Sequence, residues 1–278
     1  MSTEVVLVAD GLEIHLDLNQ GGRATTWMVD GEEILGSKSD DPVEHGMYAM
    51  APWAGRLNDN TVHFDGTAVE FAPTYGPWAL HGTVLEAPCS LQAFAQEAHS
   101  AVAQVVCDLG NPWPWSGMLV MTWDLRPDLL TTTLELRTHD GHFPGVIGWH
   151  PWFRRHTGFG SADWHLEEAL LVEKSPDLSL RRTFAPAPME RGGFDDTFLV
   201  ESGRGAIGWG DGLRIAVWNS HPWFVVYDAD PAFICLEPQS GPPNGINDAL
   251  VREVVRVTPT QPLVQRTTWQ VSRVRPVG

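Results

Sequence analysis

The residues best suited to proton chemistry sit in apolar strings. Phe233-Ile234-Cys235-Leu236-Glu237-Pro238-Gln239 carries four apolar residues that end in a carboxylate, followed by a proline. Two-residue alternation puts Glu237 on the face of Phe233 and Cys235. A charge on that face costs several kcal/mol unless it is paired, and partial burial raises a carboxyl pKa into the range of a general base. A structural ion pair or a plain strand-end glutamate accounts for the string equally well. Gly148-Trp149-His150-Pro151-Trp152-Phe153 sets a histidine among aromatic rings. Pro151 holds His150 extended and donates no ladder hydrogen bond, which suits a strand end facing a cleft. Imidazole titrates nearest neutrality and serves as acid or base; a packed core histidine is the plain alternative.

Three shorter strings also mix polar and apolar residues. Ala51-Pro52-Trp53-Ala54-Gly55-Arg56-Leu57 has one arginine in an apolar loop, Trp78-Ala79-Leu80-His81-Gly82 a histidine before glycine, and Gly193-Phe194-Asp195-Asp196-Thr197-Phe198 an aspartate pair between rings. Each alone also fits surface pairing or turn capping. There are 13 Trp against 3 Tyr, and Trp53, Trp78, Trp113, Trp115, Trp152 and Trp223 lie beside Pro, Gly or His. An indole face packs on the C–H face of a sugar ring, but core packing uses it too. His139 and His142 flank Asp140-Gly141 with no further ligand nearby, which reads as a solvated turn and not a metal site. No nucleotide-binding glycine motif, nucleophile elbow or zinc-protease motif occurs.

The elements that must carry these strings are strands. Leu12, Ile14, Leu16 and Leu18 alternate with Glu13, His15 and Asp17; Leu134 and Leu136, and Leu213, Ile215 and Val217, repeat the pattern. Asp10-Gly11, Asp30-Gly31, Asp65-Gly66, Asp140-Gly141 and Asp211-Gly212 favour tight hairpin turns. Only Glu167 to Lys174 suggests a helical turn or two, stopped by Pro176. The expectation is an all-β chain, a large antiparallel β-sandwich with very little helix, in one domain over residues 1–278.

Composition narrows the partners. With 43% hydrophobic and 19% charged residues in 278, the chain can build a core. A net charge of −17 argues against nucleic acid and, more weakly, against an anionic membrane surface. Cys89, Cys107 and Cys235 are an odd, widely spaced set without a CxxC pair, so neither a disulfide framework nor a zinc knuckle is expected. Cys107 and Cys235, in apolar runs, read as buried thiol filler. The opening MSTEVVLVADGLEIHLDL has no basic region and no unbroken apolar run, which makes the cytoplasm the expected address.

Taken in order, the five polar strings resemble the aldose 1-epimerase (mutarotase) family. That family's pattern has an Asn-Arg in an early loop, a Leu-His-Gly, a His-Pro-Tyr-Phe, an Asp before an aromatic and a late Leu-Glu-Pro. The matches are Gly55-Arg56, Leu80-His81-Gly82, His150-Pro151-Trp152-Phe153, Phe194-Asp195-Asp196-Thr197-Phe198 and Leu236-Glu237-Pro238-Gln239. Gly21-Gly22-Arg23 followed by Asp30-Gly31 resembles the family's opening. The resemblance implies a galactose mutarotase-like supersandwich that interconverts the anomers of a free aldose such as glucose or galactose, with no cofactor and no metal. It makes Glu237 the general base and His150 the general acid, with Arg56, His81, Asp195 and Trp152 against the sugar. Asp196 competes with Asp195, which is preferred because it directly follows Phe194. Gly55 stands where the family has Asn, and Trp152 where it has Tyr; both bear on which sugar binds.

The chemistry suits those types. One proton leaves the anomeric hydroxyl and one reaches the ring oxygen, so a carboxylate and an imidazolium on either side of the sugar do both jobs. Three alternatives accompany this reading. A hexose 6-phosphate substrate would use Arg154 and Arg155. A sugar-binding protein of the same fold would need no acid–base pair. A glycoside hydrolase built on Glu237 and Asp195 would hold its carboxyl groups about 5–9.5 Å apart.

Overall fold

The alternating strings pair into two large antiparallel sheets. The structure, a computed structural model, describes residues 3–175, 180–186, 192–210, 212–248 and 256–273. One sheet has eleven strands and the other nine. The first contains, side by side, Arg23–Val29, Met47–Met50, Gly148–Arg154, Phe233–Gln239, Trp223–Tyr227 and Asp195–Leu199. The centre of the second is Leu213–Asn219, Leu263–Arg273, Leu129–Arg137, Met118–Arg126 and Ala101–Asp108. The helices among the described residues are two 3-10 turns, Asn58–Asn60 and Gly245–Asn247.

Local sequence accounts for much of this. In Leu12–Asp17 the leucines and isoleucine are buried and the residues between them half-buried. Asp10-Gly11, Asp30-Gly31 and Asp65-Gly66 each take two consecutive positive φ angles, the geometry of a two-residue hairpin turn, and each joins paired strands. Asp140-Gly141 lies instead in a connection between strands that do not pair with each other, and Asp211 lies outside the described residues.

Two expectations are overturned. Glu167 to Lys174 is not helical: Leu170–Lys174 is a strand, paired with Leu180–Pro186 on one side and Asp195–Leu199 on the other. The ladder on both sides overrides the local preference, and Glu168 has φ 49°. Cys107 is not a free thiol. It is bonded to Cys89, its direct partner across neighbouring strands, with Cα atoms 4.4 Å apart. Strand register brings the two together, which their spacing along the chain does not reveal. Cys235 is a free, buried thiol.

The sheets meet through aromatic rings. Trp27 and Phe153 of the first sheet pack on Trp269 of the second, Phe153 also on Trp209, and Trp149 on Trp123. Each such burial contributes about 1.5–3 kcal/mol, and together they fix the strands rigidly. Alternation along Gly148–Arg154 then decides the site. Trp149 and Phe153 enter the inter-sheet core, while His150 and Trp152 emerge on the opposite face, where a cavity opens.

Candidate active site

That cavity, about 240 Å³, is lined by Arg56, His81, His150, Trp152, Asp195 and Glu237 among others. It is smaller than the roughly 300–1,000 Å³ of drug-sized ligand clefts, a size that suits a small ligand. All six residues singled out from the sequence therefore share one wall system, although they come from five separate stretches of chain.

His150 and Glu237 face each other across adjacent strands. The pairs Gly148↔Gln239 and Trp152↔Cys235 set the register that puts them opposite. His150 Nε2 lies 3.3 Å from Glu237 Oε1, and the side chains are only 8% and 3% exposed. They stand side by side on one wall, not across the cavity from each other. Burial pushes the Glu237 carboxyl up to about 8, with the nearby Asp195 charge adding to the effect. Burial likewise drives the His150 imidazole down to about 3. Both shifts disfavour the charged forms, so at neutral pH the pair holds one exchangeable proton, resting on Glu237. Gln239 Nε2 donates to Glu237 Oε2 at 3.1 Å. His150 is held between two rings, Tyr48 at 4.8 Å and Trp152 at 5.5 Å, both near parallel.

The second cluster binds its members to one another. Gly55 N–H donates to His81 Nδ1 at 3.2 Å, and His81 N–H donates to the Gly55 carbonyl at 3.1 Å. His81 Nδ1 is therefore an acceptor, which leaves the ring proton on Nε2. Burial holds this imidazole neutral, well below its ordinary pKa. Arg56 Nη2 donates to Asp195 Oδ2 at 2.9 Å. Asp196 instead pairs with Lys174 at 3.1 Å and is not part of the cavity lining.

The departure at Gly55 has a steric cause. Its φ is +71°, and a Cβ there would stand 2.6 Å from the Pro243 Cβ. Gly55→Ala is expected to destabilise the protein by about 1–3 kcal/mol and to loosen His81. A thermal melt and the His81 ring NMR signals check this; an unchanged melt with unchanged signals would contradict it.

Other sequence-derived candidates go elsewhere. Trp53 and Trp113 are core residues packed against Phe71, Trp113 stacked and Trp53 tilted. Trp152 lines the cavity, but its Nε1 donates to the Val43 carbonyl at 2.9 Å and it is 5% exposed, so it braces His150 more than it offers an open platform. His142 pairs with Asp65, which Arg256 also contacts. Arg154 is spent on the Leu35 carbonyl and Glu33, and Arg155 on the carbonyls of Asp228, Asp230 and Phe233. Neither lines the cavity. Tyr48, which stacks on His150, and the lining residues Lys38, Glu44, Tyr75 and Tyr227 stand in none of the marked strings, and Gln239 closes the Glu237 string with no role assigned to it. For Gln239 the signal was present, because it stands two residues beyond Glu237 on the same strand face.

The sequence model of the aldose 1-epimerase family matches residues 9–258. The chain belongs to the aldose 1-epimerase family. Solved structures agree on the fold. A protein from Escherichia coli K12, provisionally described as an aldose 1-epimerase, superposes with a TM-score of 0.81 at 18% identity, covering 98% of this chain and 99% of that one. A galactose mutarotase-like protein from Clostridium acetobutylicum gives 0.80 at 14% identity, covering 96% and 94%. The galactose 1-epimerase of Lactobacillus acidophilus NCFM gives 0.77 at 13%, covering 98% and 95%. No curated protein matches the chain. No helix among the described residues is long and apolar enough to cross a membrane.

Proposed function

We propose that this aldose 1-epimerase family member interconverts the α and β anomers of a free aldose such as glucose or galactose, with Glu237 as general base and His150 as general acid. The observation that carries this reading is the 3.3 Å contact between His150 Nε2 and Glu237 Oε1 at the wall of a cavity of about 240 Å³. The anomeric and ring oxygens of a pyranose are bonded to the same carbon. An acid and a base that stand side by side therefore reach both.

The steps balance without a cofactor. A sugar hydroxyl that donates to Glu237 favours its ionised form, and the proton passes to His150 across their contact. Glu237 then takes the anomeric hydroxyl proton while His150 delivers one to the ring oxygen. The C1–O5 bond breaks with its electrons on O5, and a carbonyl forms at C1. Rotation about C1–C2 presents the other carbonyl face, and closure returns both protons. Each group supplies about 10²–10⁴-fold. Arg56, His81 and Asp195 hold hydroxyls.

A free sugar fits better than a phosphorylated one. The cations of the lining are Lys38 and Arg56. Lys38 already faces Glu44 at 3.3 Å and Asp230 at 3.5 Å, and Arg56 faces Asp195. A phosphate would meet these carboxylates. Polarimetry of fresh α-D-glucose, α-D-galactose and glucose 6-phosphate tests both statements. The expected result is acceleration of at least one free hexose, with kcat/KM for the phosphate lower by about tenfold or more, a discrimination of about 1.4 kcal/mol. Free hexoses that equilibrate no faster than in buffer would refute the reading, and binding without acceleration would leave a sugar-binding protein.

A further inference from the structure

Arg23 is a buried charge that the reaction above does not use. It is 0% exposed. Its guanidinium donates only to carbonyls, those of Gln20 at 3.4 Å, His45 at 3.0 Å and Leu85 at 3.2 Å. Asp17, Asp41 and Glu86 act on it at longer range, and desolvation holds its pKa at about 10, which leaves it charged at neutral pH. A buried cation without a carboxylate partner is a costly arrangement for a fold to keep.

Its position gives the charge a target. The guanidinium lies 5.0 Å from the centre of the Tyr48 ring, and that ring stacks on His150. The pair Ala24↔Met47 sets Arg23 opposite Tyr48, Tyr48 is opposite His150, and His150 is opposite Glu237. Arg23, Tyr48, His150 and Glu237 thus form one row across four adjacent strands, with a permanent cation at its end. The remaining groups around His150 carry little net charge. Burial keeps the Tyr48 phenol and the Cys235 thiol protonated and the His81 imidazole neutral. Arg56 and Asp195 pair with each other, and Lys38, beyond Trp152, is held by Glu44 and Asp230.

We propose that Arg23 is a positioning residue for the His150–Glu237 pair: its charge, acting across the Tyr48 ring, loosens that pair's hold on its protons. This rests on the reading of His150 and Glu237 as the acid–base pair. A carbonyl clamp that merely ties three segments together is the competing role, and the two differ in what a charge-removing substitution does to titration.

Arg23→Gln removes the charge. The expected result is that the alkaline limb of the kcat/KM profile moves to higher pH, together with the ¹⁵N imidazole titration of His150, which senses its own proton and that of the carboxyl against Nε2. The shift should be about one pH unit, the size expected of a unit charge roughly 10 Å away at an effective dielectric of about 20. Arg23→Lys, which keeps the charge and loses the fork, should lower stability without that shift. Both titrations coinciding with the wild type in Arg23→Gln would overturn the proposal. If Arg23→Gln does not fold, Gln20→Glu carries the test. It places a negative charge, at a half-buried position, on the residue whose carbonyl accepts from Arg23 and whose side chain meets His45, and must move the same titrations upward by a smaller amount; no movement overturns the proposal. The NMR titration needs no substrate. A His150 transition that shifts in a protein without mutarotase activity would therefore refute the reaction while keeping the link to Arg23.

Discussion

Glu237→Gln is expected to lower kcat by about 10³-fold, within the 10²–10⁴-fold range of a positioned general base, while KM and the melting temperature change little. The amide keeps the shape of the carboxyl and its place beside Gln239, yet accepts no proton. Stability should survive because burial already holds Glu237 protonated at neutral pH, with its pKa near 8. Polarimetry on a free hexose and a thermal melt check the two halves. A variant that retains more than about a tenth of the wild-type rate, a loss under about 1.4 kcal/mol, would show that Glu237 is not the base. A variant that is inactive because it unfolds would show that the carboxyl is structural.

The second large effect is on pH. In the proposed reaction the His150–Glu237 pair works with one exchangeable proton, whichever partner holds it. Activity should therefore fall above about pH 8, as that proton leaves, and fall again on strong acidification, as His150 protonates near 3 beside a neutral Glu237. Stability follows with opposite signs for the two groups. Glu237 has its folded pKa raised from 4.5 to about 8, so the unfolded chain binds fewer protons there, and stability declines as pH rises through that window. His150 has its folded pKa lowered from 6.5 to about 3, so the unfolded chain binds more protons there, and stability rises with pH across that range. Between 4.5 and 6.5 the two slopes cancel. Below that interval stability drops on acidification and above it drops with alkali, each at up to about 1.4 kcal/mol per pH unit from this pair. Denaturant unfolding at a series of pH values checks this, and Glu237→Gln should abolish the decline between 6.5 and 8. An identical decline in that variant would assign it to other groups.

Particular residues show what the sequence discloses and what it hides. That Glu237 and His150 need a partner is legible because each is a titratable group in an apolar string before a proline, and the structure makes each the other's neighbour. Hairpins were legible at Asp10-Gly11, Asp30-Gly31 and Asp65-Gly66 because the turn chemistry is local. Leu170–Lys174 was misread because its pairing with strands on both sides is not local. Cys89 and Cys107 were missed for the same reason, since register alone makes them neighbours. Arg23 follows two glycines at the start of a strand, and nothing in its local sequence places it near His150. Only the sheet order sets it behind Tyr48. The contact between His150 and Glu237 also depends on that order, because 87 positions of chain separate two residues that the ladder puts face to face.

The most direct measurement is a double-mutant cycle on anomer interconversion of a free hexose, comparing Glu237→Gln, His150→Gln and the double variant by polarimetry. Two groups that pass one proton between them act as a unit, so removing either disables the other. The double variant should then be about as slow as the slower single variant. A double variant slowed by the product of the two single effects would mean that His150 and Glu237 act independently, and the shared-proton account would fail.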